Sequence, residues 1–147
     1  MPDKSPASTV NFHFLKESVQ PKERKRLKAF LLALFKKEKT PLQSLTYIFC
    51  SDDYLLGINQ QFLQHNYYTD IISFNLAAEG QPAEGEIYVS LERVLENAKT
   101  LNQSFTKELH RVVFHGALHL CGYKDKSAKD IVSMRKKEDD YLKQYFK

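Results

Sequence analysis

Cysteine is scarce: only Cys50 and Cys121 occur in 147 residues, far apart and in no CxxC pair. That excludes a disulfide-stapled secreted domain and suits a reducing compartment. No apolar run is long enough to cross a bilayer, and the opening MPDKSPAS lacks the apolar stretch of a signal peptide. The expectation is a soluble, cytoplasmic protein. Internal repeats and low-complexity linkers are also missing, so residues 1–147 read as one domain. What is present is globular material, with 42% hydrophobic and 27% charged residues. A chain of this length buries roughly 68–70% of the surface its unfolded form exposes, enough for a core without covalent staples.

The formal net charge is +4, but its distribution is more informative. Residues 1–40 carry 10 basic and 4 acidic side chains, residues 41–100 carry 2 and 8, and residues 101–147 carry 10 and 6. Two basic ends flank an acidic middle. Folded together, they permit a positive face for a polyanion beside a negative pocket for a cation. Solvated helix faces account for the same numbers, and charge alone favours that plainer reading.

Hydrophobic periodicity predicts alternating elements. Val10 to Phe14 reads as a short strand. Pro21 suits the first turn of a helix to about Lys37, with Leu27, Phe30, Leu31, Leu34 and Phe35 at helical spacing. Leu45 to Cys50 is β-branched and aromatic, a strand, and Ser51 or Asp52 caps a helix to about Leu63. Asp70 to Leu76 and Glu86 to Ser90 read as two strands of an antiparallel hairpin around the AAEGQPAEG turn. Ser90 caps a helix to about Leu101, Thr106 caps another ending at Gly122, and a last helix occupies about Ser127 to Phe146. The expected fold is α+β: a mixed sheet of about four strands packed with helices.

The chemistry is concentrated in His115-Gly116-Ala117-Leu118-His119-Leu120-Cys121-Gly122-Tyr123-Lys124-Asp125. Histidines four apart on a helix lie on one face, one turn apart, and two imidazoles so placed can reach one metal ion. Gly122 stands where a helix stops, since glycine tolerates the left-handed backbone of a C-terminal cap. The chain can then double back and return the Asp125 carboxylate to the same ion. Three protein ligands leave an open position for water. A bare pair of histidines at this spacing is more often coincidence or a satisfied core pair; the glycine and the returning carboxylate make the pattern much rarer. The spacing H-x-x-x-H-x-x-G-x-x-D is similar to that of the metzincin proteases, which place a Glu after the first His as general base. Here Gly116 holds that position and cannot accept a proton, which argues against a zincin-type peptidase mechanism.

The stretch HGALHLCGYKD also closely resembles the YbeY family pattern H-G-x-L-H-L-x-G-Y-D-H. Two further blocks agree in order and spacing: TDIISF at the end of Asn59 to Phe74, and GEIYVS at 85–90. The resemblance covers most of residues 45–142. It implies a single-strand-specific, metal-dependent endoribonuclease acting in 3′ end maturation of small-subunit (16S) ribosomal RNA and in ribosome quality control. It also implies one zinc ion per chain, and single-stranded RNA, rRNA and ribosomal particles as partners.

Two departures from the family pattern stand out. The family's third ligand is a His, and that column holds Asp125; oxygen ligands also suit harder ions such as Mn. An Arg used near the T-D-V-L-S-F block falls on Leu63, with His65 two residues on as a weak candidate for part of its role. The resemblance makes Arg24, Lys25, Lys28 and Arg111 the candidates to hold an RNA backbone, and Tyr67, Tyr68 and Tyr123 candidates to stack unpaired bases, although packing explains the tyrosines equally well. Asp70 is expected to organise a strand entry, Cys121 to pack inside, and His13 and His110 to lie off the ligand face. The helix carrying Met134, Glu138 and Leu142 is expected to pack back over the site. A different class of function fits the Leu63 departure: a ribosome- or RNA-binding assembly factor with a structural metal and little catalysis. A metal-dependent hydrolase of another substrate also fits three ligands and a water.

Overall fold

Leu45, Tyr47 and Phe49 alternate with Thr46 and Ile48, and this two-residue period makes a strand with one face wholly buried. The computed structural model describes residues 8–15 and 21–147; residues 1–7 of the opening segment lie outside them. In chain order the elements are β1 (Thr9–Phe14), α1 (Arg24–Lys37), β2 (Leu42–Cys50), α2 (Asp52–Leu63), β3 (Ile71–Asn75), β4 (Ala83–Ser90), α3 (Leu91–Thr100), α4 (Phe105–Leu120) and α5 (Ala128–Tyr145).

The sheet order is β1-β2-β4-β3. β1 pairs with β2 and β2 with β4 in parallel, each pair joined through a segment that contains a helix. β3 pairs with β4 antiparallel, from Ile71 opposite Val89 to Asn75 opposite Gly85. The α+β class, the four-stranded mixed sheet and the antiparallel hairpin are as the sequence predicts.

One sheet face carries the main core. Leu45, Tyr47, Phe49, Ile87 and Val89 are fully buried there, with α1 contributing Leu27, Leu31, Leu34 and Phe35 from one stripe. The other face holds a smaller cluster, in which Leu55 of α2 meets Cys50 and Ile72. α4 runs through the main core and buries residues on nearly every side, from Leu109 to Leu118. The Tyr47 hydroxyl donates to the Val113 carbonyl at 2.6 Å and fixes the helix on the sheet. Gly116 permits this close approach: a Cβ there would lie 2.8 Å from Ile71 Cδ1 and 3.0 Å from Ile87 Cδ1. α5 lays Met134, Glu138, Tyr141, Leu142 and Tyr145 inward, so the predicted four-residue stripe does pack back onto α4.

Several boundaries differ from expectation. α1 starts at Arg24, not at Pro21, because Glu23 takes a left-handed backbone (φ 55°) and interrupts any helix before it. Ser104, not Thr106, caps α4: its hydroxyl accepts the Lys107 N–H at 3.1 Å, and Thr106 lies inside the helix. β2 and β4 begin three residues early, at Leu42 and Ala83, because those two residues pair with each other. Ser90 caps α3 as predicted, Ser51 rather than Asp52 caps α2, and Ser127, expected inside the last helix, caps α5.

Candidate metal centre

The last two turns of α4 place His115 and His119 one above the other, ring centroids 4.5 Å apart. The helix then ends in a Schellman turn. Tyr123 N–H donates to the Leu118 carbonyl at 3.1 Å, Gly122 N–H donates to the His119 carbonyl at 3.1 Å, and Gly122 takes φ 98°. A Cβ at that φ would be strained, so the glycine is what lets the chain reverse. The reversal returns Asp125 to the histidine face.

His115 Nε2 and His119 Nε2 lie 3.0 Å apart, and Asp125 Oδ2 lies 3.3 Å from the first and 3.1 Å from the second. All three donor atoms fall within 4.8 Å of one another. Four tetrahedral ligands at zinc bond lengths stand roughly 3.3 Å apart, so the observed triangle fits a small divalent cation. Both imidazoles are tied from behind. His115 Nδ1 lies 2.6 Å from Glu138 Oε2, and His119 Nδ1 lies 2.9 Å from the Tyr123 carbonyl. Each acceptor claims the Nδ1 proton, which leaves both Nε2 lone pairs facing inward.

The surroundings are strongly charged. Burial opposes the His115 imidazolium, but the hydrogen bond and charge of Glu138, with Asp125 and Asp70 beyond, outweigh it and raise its pKa. Burial would likewise push the Glu138 carboxyl up, yet His115 and Arg111 together hold it below the ordinary value. A cavity of about 240 Å³ opens on the site, lined by His115, Asp125, Glu138, Arg111, Arg135 and Met134 among others.

Residues 10–146 match the sequence profile of the family described as Endoribonuclease YbeY. The chain belongs to the YbeY family. A relative named Endoribonuclease YbeY from Cytophaga hutchinsonii is 48% identical over 131 residues, which cover 88% of this chain and 92% of the relative. Another of that name, from Flavobacterium psychrophilum, is 54% identical over 99 residues, 67% of this chain and 70% of the relative. The solution structure of a Thermotoga maritima protein matches with a TM-score of 0.62 at 32% identity, covering 94% of this chain and 89% of that one.

On this YbeY scaffold the other predicted site residues fall in different places. Arg24 and Lys25 are exposed and Lys28 is half-buried at the start of α1, with Arg24 over the Phe14 ring and Lys28 over the Phe12 ring. Arg111 is committed inside the fold: its Nε donates to Glu108 Oε1 at 2.8 Å and its Nη1 to Glu138 Oε1 at 3.0 Å. Leu63 ends α2 with its side chain partly exposed to solvent. His65 follows on an exposed segment, its Nδ1 3.0 Å from the Tyr67 hydroxyl, and it does not belong to the His-His-Asp cluster. Tyr67 and Tyr68 are exposed, but Tyr123 is half-buried and donates its hydroxyl to Glu38 Oε1 at 2.7 Å. The Asp70 carbonyl accepts the Ser90 N–H at 2.9 Å and its carboxylate accepts Asn97 Nδ2 at 3.2 Å, the strand-entry contacts expected of it. Burial pushes the Cys121 thiol up to about 11, which keeps it protonated. His110 is buried with Nδ1 2.7 Å from the Thr106 carbonyl, and His13 is exposed on β1.

Two groups at the site escaped the sequence reading. Glu138 was visible only as a carboxylate on an otherwise apolar stripe of α5, a mismatch that signals a buried partner. Arg135, one turn before, lines the cavity with half its side chain exposed, and among the described residues its nearest carboxylate is Glu138 Oε1 at 3.8 Å.

Proposed function

We propose that this chain is a metal-dependent endoribonuclease specific for single strands. It acts in 3′ end maturation of small-subunit (16S) ribosomal RNA and in ribosome quality control, in the cytoplasm. The observation that carries this reading is the triangle of His115 Nε2, His119 Nε2 and Asp125 Oδ2, with both Nδ1 atoms engaged behind it. The family's name supports RNA as substrate.

A divalent ion held by these three residues supplies Lewis acidity to a phosphoryl oxygen and an activated water at neutral pH. Zinc suits the two imidazoles, and the Asp125 oxygen also accommodates Mn. The remaining work falls to the chain. The cations Arg24, Lys25 and Lys28 of α1 hold the RNA backbone, and Arg135 meets the phosphate nearest the cavity. Contacts of this kind are salt-dependent and indifferent to sequence. The exposed Tyr67 and Tyr68 stack unpaired bases on the ring faces that His65 and Arg93 leave open, which favours single strands over duplex. A carboxylate base of the protease kind has no place here, since position 116 faces Ile71 and Ile87.

The test combines metal content with cleavage. His115→Ala and His119→Ala each abolish metal retention and cleavage of a single-stranded RNA while the chain stays folded. RNA or ribosome binding that persists in the metal-loaded protein without turnover would instead mark an assembly factor with a structural metal, the reading that Leu63 in place of an arginine favours.

A further inference from the structure

We propose that Glu138 is a positioning residue of the metal site: it fixes the tautomer and direction of His115 and strengthens it as the ligand. This rests on the reading that His115, His119 and Asp125 bind a metal, and it deepens that reading by extending the site from α4 to α5.

Glu138 is 2% exposed, and a buried carboxylate needs every oxygen partnered. Its two oxygens have separate partners. Oε1 accepts from Arg111 Nη1 at 3.0 Å, and Arg111 also grips the buried Glu108 of its own helix, so that half of Glu138 ties α5 to α4. Arg111 and Glu108 need no histidine to complete that link. Oε2 is turned the other way and meets His115 Nδ1 at 2.6 Å, within the range of charge-assisted contacts. A neutral imidazole carries one proton, and an ionised carboxylate can only accept. The proton must therefore sit on Nδ1, and the Nε2 lone pair is left to face His119 and Asp125.

The two histidines are not held alike. His119 Nδ1 is met by a main-chain carbonyl, that of Tyr123, whereas His115 Nδ1 is met by an anion. A carboxylate draws the Nδ1 proton more strongly than a carbonyl does and makes the opposite nitrogen a better donor. His115 is thereby the stronger imidazole ligand. Its orientation depends on α5 lying in place. The Arg111 bridge gives Glu138 little freedom to turn away, so the ligand, the carboxylate and the guanidinium form one rigid chain across the α4–α5 interface.

The test measures zinc affinity of the full chain by competition with a chromogenic chelator. Wild type is compared with Glu138→Gln, Glu138→Ala and His115→Ala, each first shown to be folded by circular dichroism. Glu138→Ala weakens zinc binding by roughly 10–100-fold, the usual effect of losing such a partner. Glu138→Gln, which keeps an acceptor oxygen of the same reach but no charge, falls between it and wild type. Cobalt loaded in place of zinc gives a visible spectrum that differs between wild type and Glu138→Ala, a change that mere loosening of a helix contact does not produce. If both folded Glu138 variants bind zinc as tightly as wild type, Glu138 only packs the helices and the proposal is overturned. Should Glu138→Ala not fold, Glu138→Gln decides alone. A wild-type chain that takes up no zinc, or a His115→Ala chain that binds it as well as wild type, overturns the metal-site reading itself and the proposal with it. In the metal-free wild type, nitrogen NMR at a pH where both imidazoles are neutral is expected to find the His115 proton on Nδ1; a proton on Nε2 overturns the proposal directly.

Discussion

The Tyr123 hydroxyl donates to Glu38 Oε1 at 2.7 Å, joining the turn after α4 to the end of α1 across 85 residues of sequence. The same Tyr123 offers its carbonyl to His119 Nδ1. One residue therefore anchors the turn after α4 to the core and orients His119. Glu38 also accepts the Tyr141 hydroxyl and lies 3.5 Å from Lys137 Nζ.

Burial alone would raise the Glu38 carboxyl, but the hydrogen bonds of Tyr141 and Tyr123 and the charge of Lys137 outweigh it and hold the pKa below its ordinary value. An acid group depressed in the folded state contributes stability above its unfolded pKa, about 4.3 for Glu, and loses it as pH falls through the folded value. Glu38→Gln is therefore expected to lose on the order of 1.5–3 kcal/mol at neutral pH, the scale of hydrogen bonds to a charged group. That deficit shrinks as pH drops below about 4.3. Denaturant melts of both proteins at several pH values check this. Glu138 is depressed too and is common to both chains, so the difference isolates Glu38. A deficit that stays constant with pH contradicts the account.

Arg111 stands between two buried carboxylates, Glu108 and Glu138. Removing the cation leaves both charges unpaired in the interior, a loss of about 3–5 kcal/mol. Arg111→Ala is expected to lower the unfolding free energy by that amount in urea melts, far more than Lys25→Ala on the exposed side of α1. Equal, small effects would mean that Arg111 is a surface cation free to meet RNA.

Gly116 and Gly57 both lie within helices, and alanine would gain about 1 kcal/mol of helix propensity at either. At Gly57 nothing lies within 4 Å of the added Cβ, so Gly57→Ala stabilises. At Gly116 the methyl meets Ile71 and the fully buried Ile87, and overpacking of this kind costs about 1–3 kcal/mol. Gly116→Ala is expected to destabilise and to weaken metal binding through the shift of its neighbour His115. Thermal melts of the two variants should move in opposite directions.

Local order made much of this legible. The sheet follows from residue alternation in β2 and β4, and the candidate His-His-Asp cluster from three residues within eleven positions, two of them on successive turns and one beyond a glycine stop. Side chains brought together by packing were not legible. Glu138 reaches His115 from 23 residues away, and nothing near Tyr123 points to Glu38. Arg111 reads as a surface cation beside Lys107 until α5 covers it, although Glu108 three residues earlier hinted at an internal pair. The start of α1 is not legible because Glu23 adopts a backbone usually marked by glycine. Thr106 has the composition of a cap, but the hydroxyl that the Lys107 N–H meets is that of Ser104.

The most direct measurement is cleavage of a single-stranded RNA by the intact chain before chelation, after chelation, and after zinc or manganese is restored. Cleavage that stops on chelation and returns with the ion is the predicted result. A chain stripped of metal that still cuts the strand at its original rate would contradict the account.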